Sequence, residues 1–313
     1  MATPASAPSA GQSLSIEGLS KRYAGGVQAL DDVTLTIPAG LFGLLGPNGA
    51  GKSTLMRTLA TLQEADSGRA HLDDIDLLRN KDQVRRHLGY LPQEFGLYPK
   101  VTAFELLDHL AALKGIGPQR RRRDEVHTLL QRTNLFYVRN RKLGTFSGGM
   151  KQRFGIAQAL LGRPRLVIVD EPTAGLDPEE RARFHGLLAE IGEEVVVILS
   201  THIVADVSDL CPRMAIINKG KVVLTGEPTR VASTLAGRIW RKLVSKDELA
   251  RWASEPAGTG ITPLRQRRIA GQVAVHLHSE VLPDVGFEPI EPDLEDAYFW
   301  AIKSSAPPAA AAA

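Results

Sequence analysis

A glycine-rich segment between an apolar run and a helical pattern constrains this chain more than any other feature. Residues 46–54 read GPNGAGKST, which fits G-x-x-x-x-G-K-[S/T]. The apolar run 41–45 predicts a buried strand before it, and residues 55–62 predict a helix after it. Glycines in that position let several backbone N–H groups point at one anion, and the helix dipole adds positive potential. The segment therefore predicts a phosphate-binding loop in an α/β fold.

Particular side chains of this loop carry particular roles. Lys52 supplies a full charge for the β- and γ-phosphates of a nucleotide, and the Ser53 hydroxyl is a ligand for Mg²⁺. A glycine-rich turn with an incidental lysine is the competing interpretation, and the flanking strand and helix count against it. The remaining positions of the predicted nucleotide-binding loop are Gly46, Pro47, Asn48, Gly49, Ala50, Gly51 and Thr54.

Two carboxylates follow a second apolar run, residues 166–169. Adjacent carboxylates at the end of a buried strand are costly unless something uses them. Neighbouring strand residues face opposite sides, so Asp170 is predicted to reach the metal and Glu171 a different position. There Glu171 would act on an attacking water as a general base or a positioning group. A surface pair that caps the strand is the alternative.

His202 follows the next predicted strand, residues 195–199. A lone histidine in such a position is more often structural. This one, however, lies at the carboxyl edge of the predicted sheet, where ligands bind in such folds. It is therefore a candidate catalytic residue beside Glu171.

Residues 146–153, FSGGMKQR, open an apolar helix and form a second candidate anion site. Ser147 can cap the helix, while Gly148 and Gly149 let backbone amides approach a phosphate closely. The stretch resembles the signature motif of ABC ATPases, usually Leu-Ser-Gly-Gly-Gln, and precedes the acidic strand as it does in that family. Phe146 in place of Leu and Met150 in place of Gln are interpreted as subfamily variation.

Other motifs resemble the same family in the same order, over about residues 14–227. Tyr23 resembles the aromatic residue that stacks on adenine, and Gln93 the Q-loop glutamine that touches Mg²⁺ and the coupling surface. Residues 174–177 resemble the D-loop, and His202 the switch histidine that contacts the γ-phosphate. The resemblance implies that ATP and Mg²⁺ bind, and that two ATPase subunits face head to tail. Each ATP then lies between one phosphate loop and the partner's signature motif.

Residues 89–98, GYLPQEFGLY, and 294–298, LEDAY, look like the ABC-2 group, whose ATPases pair with separate permeases and mostly export. The resemblance implies an ATP-hydrolysing motor subunit that drives export through a separate membrane permease. A second ATPase subunit, with an identical chain as first candidate, would complete it. The alternative is an ABC ATPase that acts on the ribosome or DNA without transport. A catalytically inactive nucleotide-binding module is a further alternative, which the presence of Glu171 disfavours.

Composition supports a cytoplasmic protein that reaches the inner face of the membrane through its permease. Lys and Arg total 38 against 35 Asp and Glu, and a net charge of +3 does not argue for nucleic acid. The single cysteine, Cys211, allows no disulfide framework. Residues 1–12 lack the basic and apolar pattern of a signal peptide, and no apolar run approaches the ~20 residues of a membrane helix.

The chain divides into two predicted folded units with tails. Residues 1–12 and 304–313 are rich in Ala, Pro and Ser and are predicted to be disordered. Residues 13–227 form the ATPase domain: an α/β P-loop NTPase core with a mostly parallel sheet, an N-terminal antiparallel β portion and a helical signature subdomain. Residues 228–303 form a small C-terminal α+β appendage, in which residues 239–244 predict a strand and residues 294–302 a helix.

Local patterns predict further elements of the ATPase domain. Val33, Leu35 and Ile37 alternate with threonines, as on a strand with one buried face. Thr102 and Glu105 fit a capping box at the start of a helix, and residues 124–132 predict another helix. Asp177 fits the N-cap of the helix after residues 166–169, with Pro178 as its first residue.

Two further expectations concern surfaces. In the appendage, residues 272–278 alternate like an edge strand facing water, with His276 and His278 on one face. A metal-binding pair is the less favoured interpretation of these histidines. In the segment 94–117, apolar and aromatic side chains, several of them expected to be exposed, predict a docking patch for the permease. Its members are Phe95, Leu97, Tyr98 and Phe104. The alternative is that they pack under the helical subdomain.

Overall fold

The computed structural model describes residues 13–173, 175–193, 195–245, 248, 261–269 and 272–305. The N-terminal tail and most of the predicted C-terminal tail lie outside these residues. The strands are β1 Ser13–Arg22, β2 Gln28–Pro38, β3 Gly40–Leu45, β4 Ser67–Leu72, β5 Ile75–Asp76, β6 Leu88–Leu91, β7 Leu166–Asp170, β8 Val196–Thr201, β9 Arg213–Asn218, β10 Lys221–Gly226, β11 Ile239–Val244, β12 Thr262–Ile269, β13 Gln272–His278 and β14 Glu288–Pro289.

The helices lie between these strands, mostly as crossovers. They are α1 Lys52–Leu59, α2 Lys81–His87, α3 Ala103–Leu113, α4 Gln119–Arg132, α5 Gly148–Ala159, α6 Pro178–Gly192, α7 Val204–Leu210, α8 Pro228–Ser233 and α9 Leu294–Ser304. None of them, within the part of the chain that the structure describes, is long and apolar enough to cross a membrane.

The N-terminal sheet is antiparallel, in the order β2-β1-β4-β5. The alternation predicted for β2 is confirmed, since Val33, Leu35 and Ile37 are buried while the threonines between them are exposed. The buried face of this sheet packs against α1 through Leu55 and Met56. It therefore covers the helix that follows the phosphate loop.

The central sheet has the order β10-β9-β3-β8-β7-β6 and is parallel except for the terminal hairpin. β7 and β8 are buried along their whole length, which is why both read as continuous apolar runs. In the hairpin, Lys219 and Gly220 both have positive φ, 48° and 79°, as a tight turn requires. The α/β fold class is confirmed, and the carboxyl ends of β3, β7 and β8 meet at one edge.

Three helices, α3 to α5, form the predicted helical subdomain. Thr102 and Glu105 make the expected capping box at the start of α3. The helix predicted for residues 124–132 is longer, because α4 begins at Gln119 and contains the basic run 120–123. Of that run, Arg122 forms a paired contact with Asp108 of α3, at 2.8 and 3.1 Å. The polar first turn of α4 carries no apolar periodicity, so the pattern alone located its start too late.

The C-terminal sheet has the order β12-β13-β11-β14, which corrects one expectation. β13 lies between β12 and β11 and is therefore an interior strand. His276 Nδ1 is 2.9 Å from Asp296 Oδ1 of α9, and the His278 ring lies 5.9 Å from that of Trp300. In the described residues, no group of three or more His, Cys, Asp or Glu side chains could hold a metal ion. The edge assignment was wrong because alternation along one strand does not show how many strands pair with it, and here β12 pairs on one side and β11 on the other.

Helix α9 joins the two predicted units through a shared hydrophobic core. Its Leu294, Ala297, Tyr298 and Ala301 are buried in the same cluster as Val207 of α7. At its far end, the Asn218 side chain donates to Ser305 Oγ at 3.0 Å. The C-terminal helix is thus part of the packing that supports α7.

Candidate nucleotide site

The phosphate loop connects β3 to α1 through a backbone that only glycine permits at its end. Gly51 caps α1 with a φ of 109°, and a side chain there would collide with the Ala29 carbonyl oxygen. Helix α1 begins at Lys52, earlier than the apolar pattern indicated, because residues 52–54 are helical but polar. The loop therefore delivers Lys52 and Ser53 at the first turn of a helix, where free N–H groups collect.

The Lys52 side chain spans the loop and is buried. Its Nζ donates to the Gly46 carbonyl oxygen at 2.6 Å and lies 3.4 Å from that of Pro47. Asn48 and Gly49, at the crest of the loop, are exposed to solvent. This arrangement presents an open crest with a buried cation behind it, as binding of a polyphosphate requires.

Tyr23 lies beside this loop, as predicted from the family resemblance. Its Oη is 3.3 Å from Thr54 Oγ1 and donates to Gln63 Oε1 at 3.1 Å. The ring is 42% exposed, so one face remains available for stacking. Thr54 thus serves as an anchor for the aromatic side chain.

Asp170 ends β7, and its surroundings suit a metal ligand. It is buried, and its Oδ1 has no hydrogen-bond partner in the described residues. Burial raises the pKa of Asp170 above its ordinary value, the charge of Glu171 adds to the rise, and the nearby Ser53 hydroxyl opposes it. A buried carboxylate oxygen without a donor, next to a hydroxyl, fits the oxygen ligands that Mg²⁺ takes. Asp170 and Ser53 are therefore the residues that would hold this ion.

Glu171 follows the strand in a conformation unusual for its type. Its φ is +51°, and its N–H donates to the Ser200 carbonyl oxygen at 2.8 Å. Since β7 ends at Asp170, this left-handed backbone, and not strand alternation, sets the direction of the Glu171 side chain. Such conformations cost about 1–3 kcal/mol and persist where surrounding contacts over-determine them, often at functional sites.

The Glu171 carboxylate is buried between a lysine and a histidine. Its Oε1 lies 3.6 Å from Lys52 Nζ, and its Oε2 lies 2.6 Å from His202 Nδ1. The His202 side chain is 52% exposed, and its Nε2 makes no hydrogen bond within the described part of the chain. The predicted grouping of Lys52, Glu171 and His202 at the carboxyl edge of the sheet is thus present. The histidine offers a second nitrogen to solvent.

Gln93 is not brought into this group. It is exposed, and among the described residues it makes no hydrogen bond to Ser53 or Asp170. Instead it lines a groove together with Phe95, Gly148 and Lys151. Its predicted contact with Mg²⁺ stays a prediction.

The exposure expected for the docking patch after Gln93 is found at only one of its four side chains, and docking itself stays a prediction. Tyr98 is 67% exposed, but Phe95, Leu97 and Phe104 are half-buried against the hydrophobic core. The apolar residues of this segment pack under the helical subdomain, and Phe95 also lies against Gly155 of α5. Only Tyr98 remains as an exposed aromatic side chain of that set.

The signature segment forms the N-terminus of α5. Ser147 caps the helix, and its Oγ accepts from the Met150 N–H at 3.2 Å. A side chain at Gly148 would meet open space, whereas one at Gly149 would collide with the Glu180 carboxylate. Gly149 is therefore needed for close packing against α6, and Gly148 is the position that leaves the helix end accessible. Neither Ser147 nor Gly148 contacts the chain's own phosphate loop in the described structure.

The two departures from the family motif have a packing explanation. Phe146 is buried in the main hydrophobic cluster, and Met150 packs against the same cluster while half-buried. Both side chains thus serve the interior of the subdomain.

The D-loop segment leads into α6. Ala174 lies outside the described residues, Gly175 has a φ of 77°, and Asp177 Oδ1 accepts from the Glu180 N–H at 2.8 Å. The predicted cap at Asp177 with Pro178 in the first turn is confirmed. The segment between Glu171 and α6 is short and is fixed at its α6 end.

The sequence analysis missed Asp206, a fully buried acid on α7. Both of its oxygens are hydrogen-bonded, to Thr173, Arg181 and His185. The available signal was a carboxylate among the apolar residues Val207, Leu210 and Cys211, one helical turn after His202. A charge on the apolar side of a helix indicates a buried partner.

Comparison with known proteins supplies the family. The family model described as ABC transporter matches residues 30–174. YbhF, a probable multidrug ABC transporter ATP-binding protein of Escherichia coli (strain K12), is 32% identical over 299 residues, covering 91% of this chain and 51% of YbhF. The chain therefore spans about half the length of that relative.

Shorter relatives and solved structures match over most of their own length. The daunorubicin/doxorubicin resistance ATP-binding protein DrrA of Streptomyces peucetius is 35% identical over 232 residues, covering 74% of this chain and 70% of DrrA. A dimeric post-hydrolysis structure of the ATP-binding cassette MJ0796 with ADP and Pi has a TM-score of 0.62 and 27% identity, covering 68% of this chain and 98% of that one. The chain therefore belongs to the family of ABC transporter ATP-binding proteins, the ATPases of these transporters.

Proposed function

We propose that this chain is the motor subunit of an exporter: it binds and hydrolyses ATP while paired with a second ATPase subunit, and it drives a separate membrane permease. The observation that carries the proposal is the buried Glu171 carboxylate, held between Lys52 and His202 next to the phosphate loop. That arrangement combines a cation for phosphate, a base for water and a histidine with a free nitrogen.

In this mechanism the chain's own residues act in sequence. Lys52 and the loop amides bind the β- and γ-phosphates, and Tyr23 stacks on the adenine. Glu171 orients the attacking water and accepts its proton, while His202, through its free nitrogen, contacts the γ-phosphate. Mg²⁺, held by Ser53 and Asp170, would neutralise charge on the phosphate oxygens.

The second subunit supplies what this chain lacks at its own loop. The accessible end of α5 at Ser147 and Gly148 is an N-terminal anion site that does not contact residues 46–54 of the same chain. In a head-to-tail pair it would meet the partner's γ-phosphate. The dimeric form of the related cassette MJ0796 supports this proposal.

Export is favoured over import by the names of relatives. DrrA is described as a daunorubicin/doxorubicin resistance protein, and YbhF as a probable multidrug transporter component. With these names, we propose that the permease exports its substrate, that the chain works at the inner membrane face and that nucleic acid is not its partner.

The pairing is tested with Glu171→Gln. The amide keeps the shape of the side chain and removes the base, so uncleaved ATP is expected to hold two subunits together. Size-exclusion chromatography with light scattering should give a dimer with Mg-ATP and a monomer without it. A monomer in both conditions, while the wild type hydrolyses ATP, would refute the proposed pairing.

The trans role of the signature segment is tested with Ser147→Arg. Hydrolysis should fall by roughly 100-fold or more, since a donor that faces the transition state is removed and a bulky group blocks Gly148. Binding of a fluorescent ATP analogue to the monomer should stay within about twofold, because Ser147 does not serve its own loop. Loss of monomer binding would show that the segment acts in cis.

Recruitment to the membrane is tested by co-expression with the permease that co-purifies with the chain. The wild type should move to the membrane fraction. Tyr98→Asp is the informative variant, because Tyr98 is exposed while its neighbours support the core. Return of this variant to the soluble fraction with normal ATPase activity would identify the contact. Failure of the permease to recruit the wild type would favour the ribosome- or DNA-acting alternative.

A further inference from the structure

The segment after Glu171 and the segment after His202 are joined by a second contact, between Thr173 and Asp206. His202 Nδ1 lies 2.6 Å from Glu171 Oε2, and Thr173 Oγ1 donates to Asp206 Oδ2 at 2.6 Å. Thr173 is two residues after Glu171, and Asp206 is four residues after His202. The chain and the two contacts therefore form a closed ring, with residues 171–173 on one side and 202–206 on the other.

The Asp206 corner of the ring is anchored to α6. Asp206 Oδ1 accepts from Arg181 Nε at 2.8 Å and lies 2.9 Å from His185 Nε2. The Asp206 side chain is 0% exposed, while Arg181 and His185 are partly accessible. A buried carboxylate with both oxygens engaged has one low-energy position, so it is a rigid reference point for α7.

The Glu171–His202 corner of the ring, in contrast, has a strained backbone and a half-exposed histidine. Glu171 has the left-handed backbone described above, and its partner His202 is half exposed. A strained residue keeps its conformation only if the structure around it fixes both sides. The Asp206–Thr173 hydrogen bond fixes the chain just after Glu171, and α7 fixes the chain just after His202.

From this ring we infer that Asp206 is a positioning residue for hydrolysis: it holds Glu171 and His202 in register with each other. It is fully buried, and its hydrogen bonds go to Thr173, Arg181 and His185. Its carboxylate ties the segment after β7 to α7. Glu171 and His202 therefore project from two segments that are held together. The inference rests on the proposed roles of Glu171 and His202.

The test compares Asp206→Asn with Asp209→Asn, an exposed acid on the same helix. In Asp206→Asn, kcat for ATP is expected to fall about tenfold or more, since small displacements of reacting groups cost up to ~100-fold. The KM and the dissociation constant of a fluorescent ATP analogue should stay within about twofold, because the phosphate loop is untouched. Asp209→Asn should behave as wild type.

Thr173→Val covers the case in which Asp206→Asn fails to fold. It removes one bond of the ring and leaves the contacts of Asp206 with Arg181 and His185 in place. A fall of about three- to tenfold in kcat, at unchanged KM and unchanged thermal midpoint, is expected. If Thr173→Val and a folded Asp206→Asn both keep wild-type kcat, the inference is wrong.

A double-mutant cycle separates positioning from general destabilisation. In single-turnover hydrolysis, the loss caused by Asp206→Asn should be several-fold smaller once His202 is replaced by Ala, because the register between Glu171 and His202 no longer matters. A full additive loss would contradict the inference. Glu171→Gln is the reference: if it retains turnover, the proposed site itself fails, whereas an inactive Glu171→Gln beside a fully active Asp206→Asn overturns the positioning role alone.

Discussion

Two histidine–carboxylate contacts in this molecule have similar lengths and opposite surroundings. At the nucleotide edge, His202 Nδ1 lies 2.6 Å from Glu171, and in the C-terminal region His276 Nδ1 lies 2.9 Å from Asp296. Asp296 is fully buried, and its oxygens also meet Arg265 Nε at 2.9 Å and the Asp293 N–H at 3.2 Å. Both carboxylate oxygens of Asp296 therefore have partners. Asp293 and Asp296 also form a regular capping box at the start of α9.

The Glu171 contact is different in each of these respects. Its backbone is left-handed, its histidine is half exposed, and the neighbouring Asp170 keeps a buried oxygen without a donor. The comparison teaches that a histidine paired with an acid is not by itself a site. The pair proposed for catalysis, the reactive pair, has a half-exposed histidine and lies beside a buried acceptor without a donor. In the other, the saturated pair, the histidine is mostly buried and both oxygens of Asp296 have partners.

The largest expected effect falls on the reactive pair. Glu171→Gln should lower kcat by roughly 100- to 10,000-fold, the range for loss of a general base. The midpoint of thermal unfolding should change little, because Lys52 Nζ keeps its contacts with the Gly46 and Pro47 carbonyl oxygens and His202 is half exposed to water. Steady-state phosphate release and a thermal melt measure the two quantities. A variant that lost stability along with activity would place Glu171 with Asp296, as a structural acid.

The saturated pair should give the reverse result. Asp296→Asn is expected to lower the free energy of unfolding by about 3 kcal/mol, the low end for a broken buried ion pair, because Arg265 keeps Asp293 and Glu295. The ATP KM should be unchanged at temperatures where the protein is folded. Urea unfolding followed by circular dichroism gives the free energy.

Glu295→Gln is the matched control for that experiment. Its side chain is about half exposed and contacts the same arginine, so its loss should cost less than about 1 kcal/mol. Equal costs for the two variants would show that burial of Asp296 is not what matters, and the contrast between the pairs would lose its basis.

Apart from that control, the smallest expected change in free energy is the loss of ATP affinity in a variant of Lys52, the cation beside Glu171. Lys52→Ala removes a charge-assisted contact to phosphate, and such contacts contribute about 1.5–3 kcal/mol. The dissociation constant for ATP should therefore rise about 10- to 100-fold, measured by titration of a fluorescent analogue. An unchanged constant would mean that the buried lysine serves only its own loop carbonyls.

The sequence predicted the nucleotide edge well because that edge is built from local patterns. The strand β3, the glycine loop and helix α1 follow one another directly in the sequence. The buried strands β7 and β8 are recognisable as apolar runs that end at Asp170 and just before His202. Parallel strands then bring those ends together without further information. The pattern could not predict the left-handed backbone conformation of Glu171, because that conformation depends on contacts with other strands.

The C-terminal region was predicted less well for the same physical reason. β11 and α9 were recognised from periodicity, but the place of β13 inside its sheet depends on β12, whose Arg-rich sequence shows no alternation. The contact of His276 with Asp296 joins residues twenty positions apart across a strand and a helix. The hydrogen bond between Thr173 and Asp206 could likewise not be predicted from residue spacing, since the two residues are thirty-three positions apart.

The burial of α9 in the core under α7 has a consequence for how the protein is made. Chains emerge from the ribosome N-terminus first, at about 5–20 residues per second, and domains fold as their parts appear. Here the apolar face of α7 stays uncovered until Leu294, Ala297, Tyr298 and Ala301 have been synthesised. The ATPase core thus reaches its final packing only after α9 has left the ribosome, and until then the apolar face of α7 is exposed.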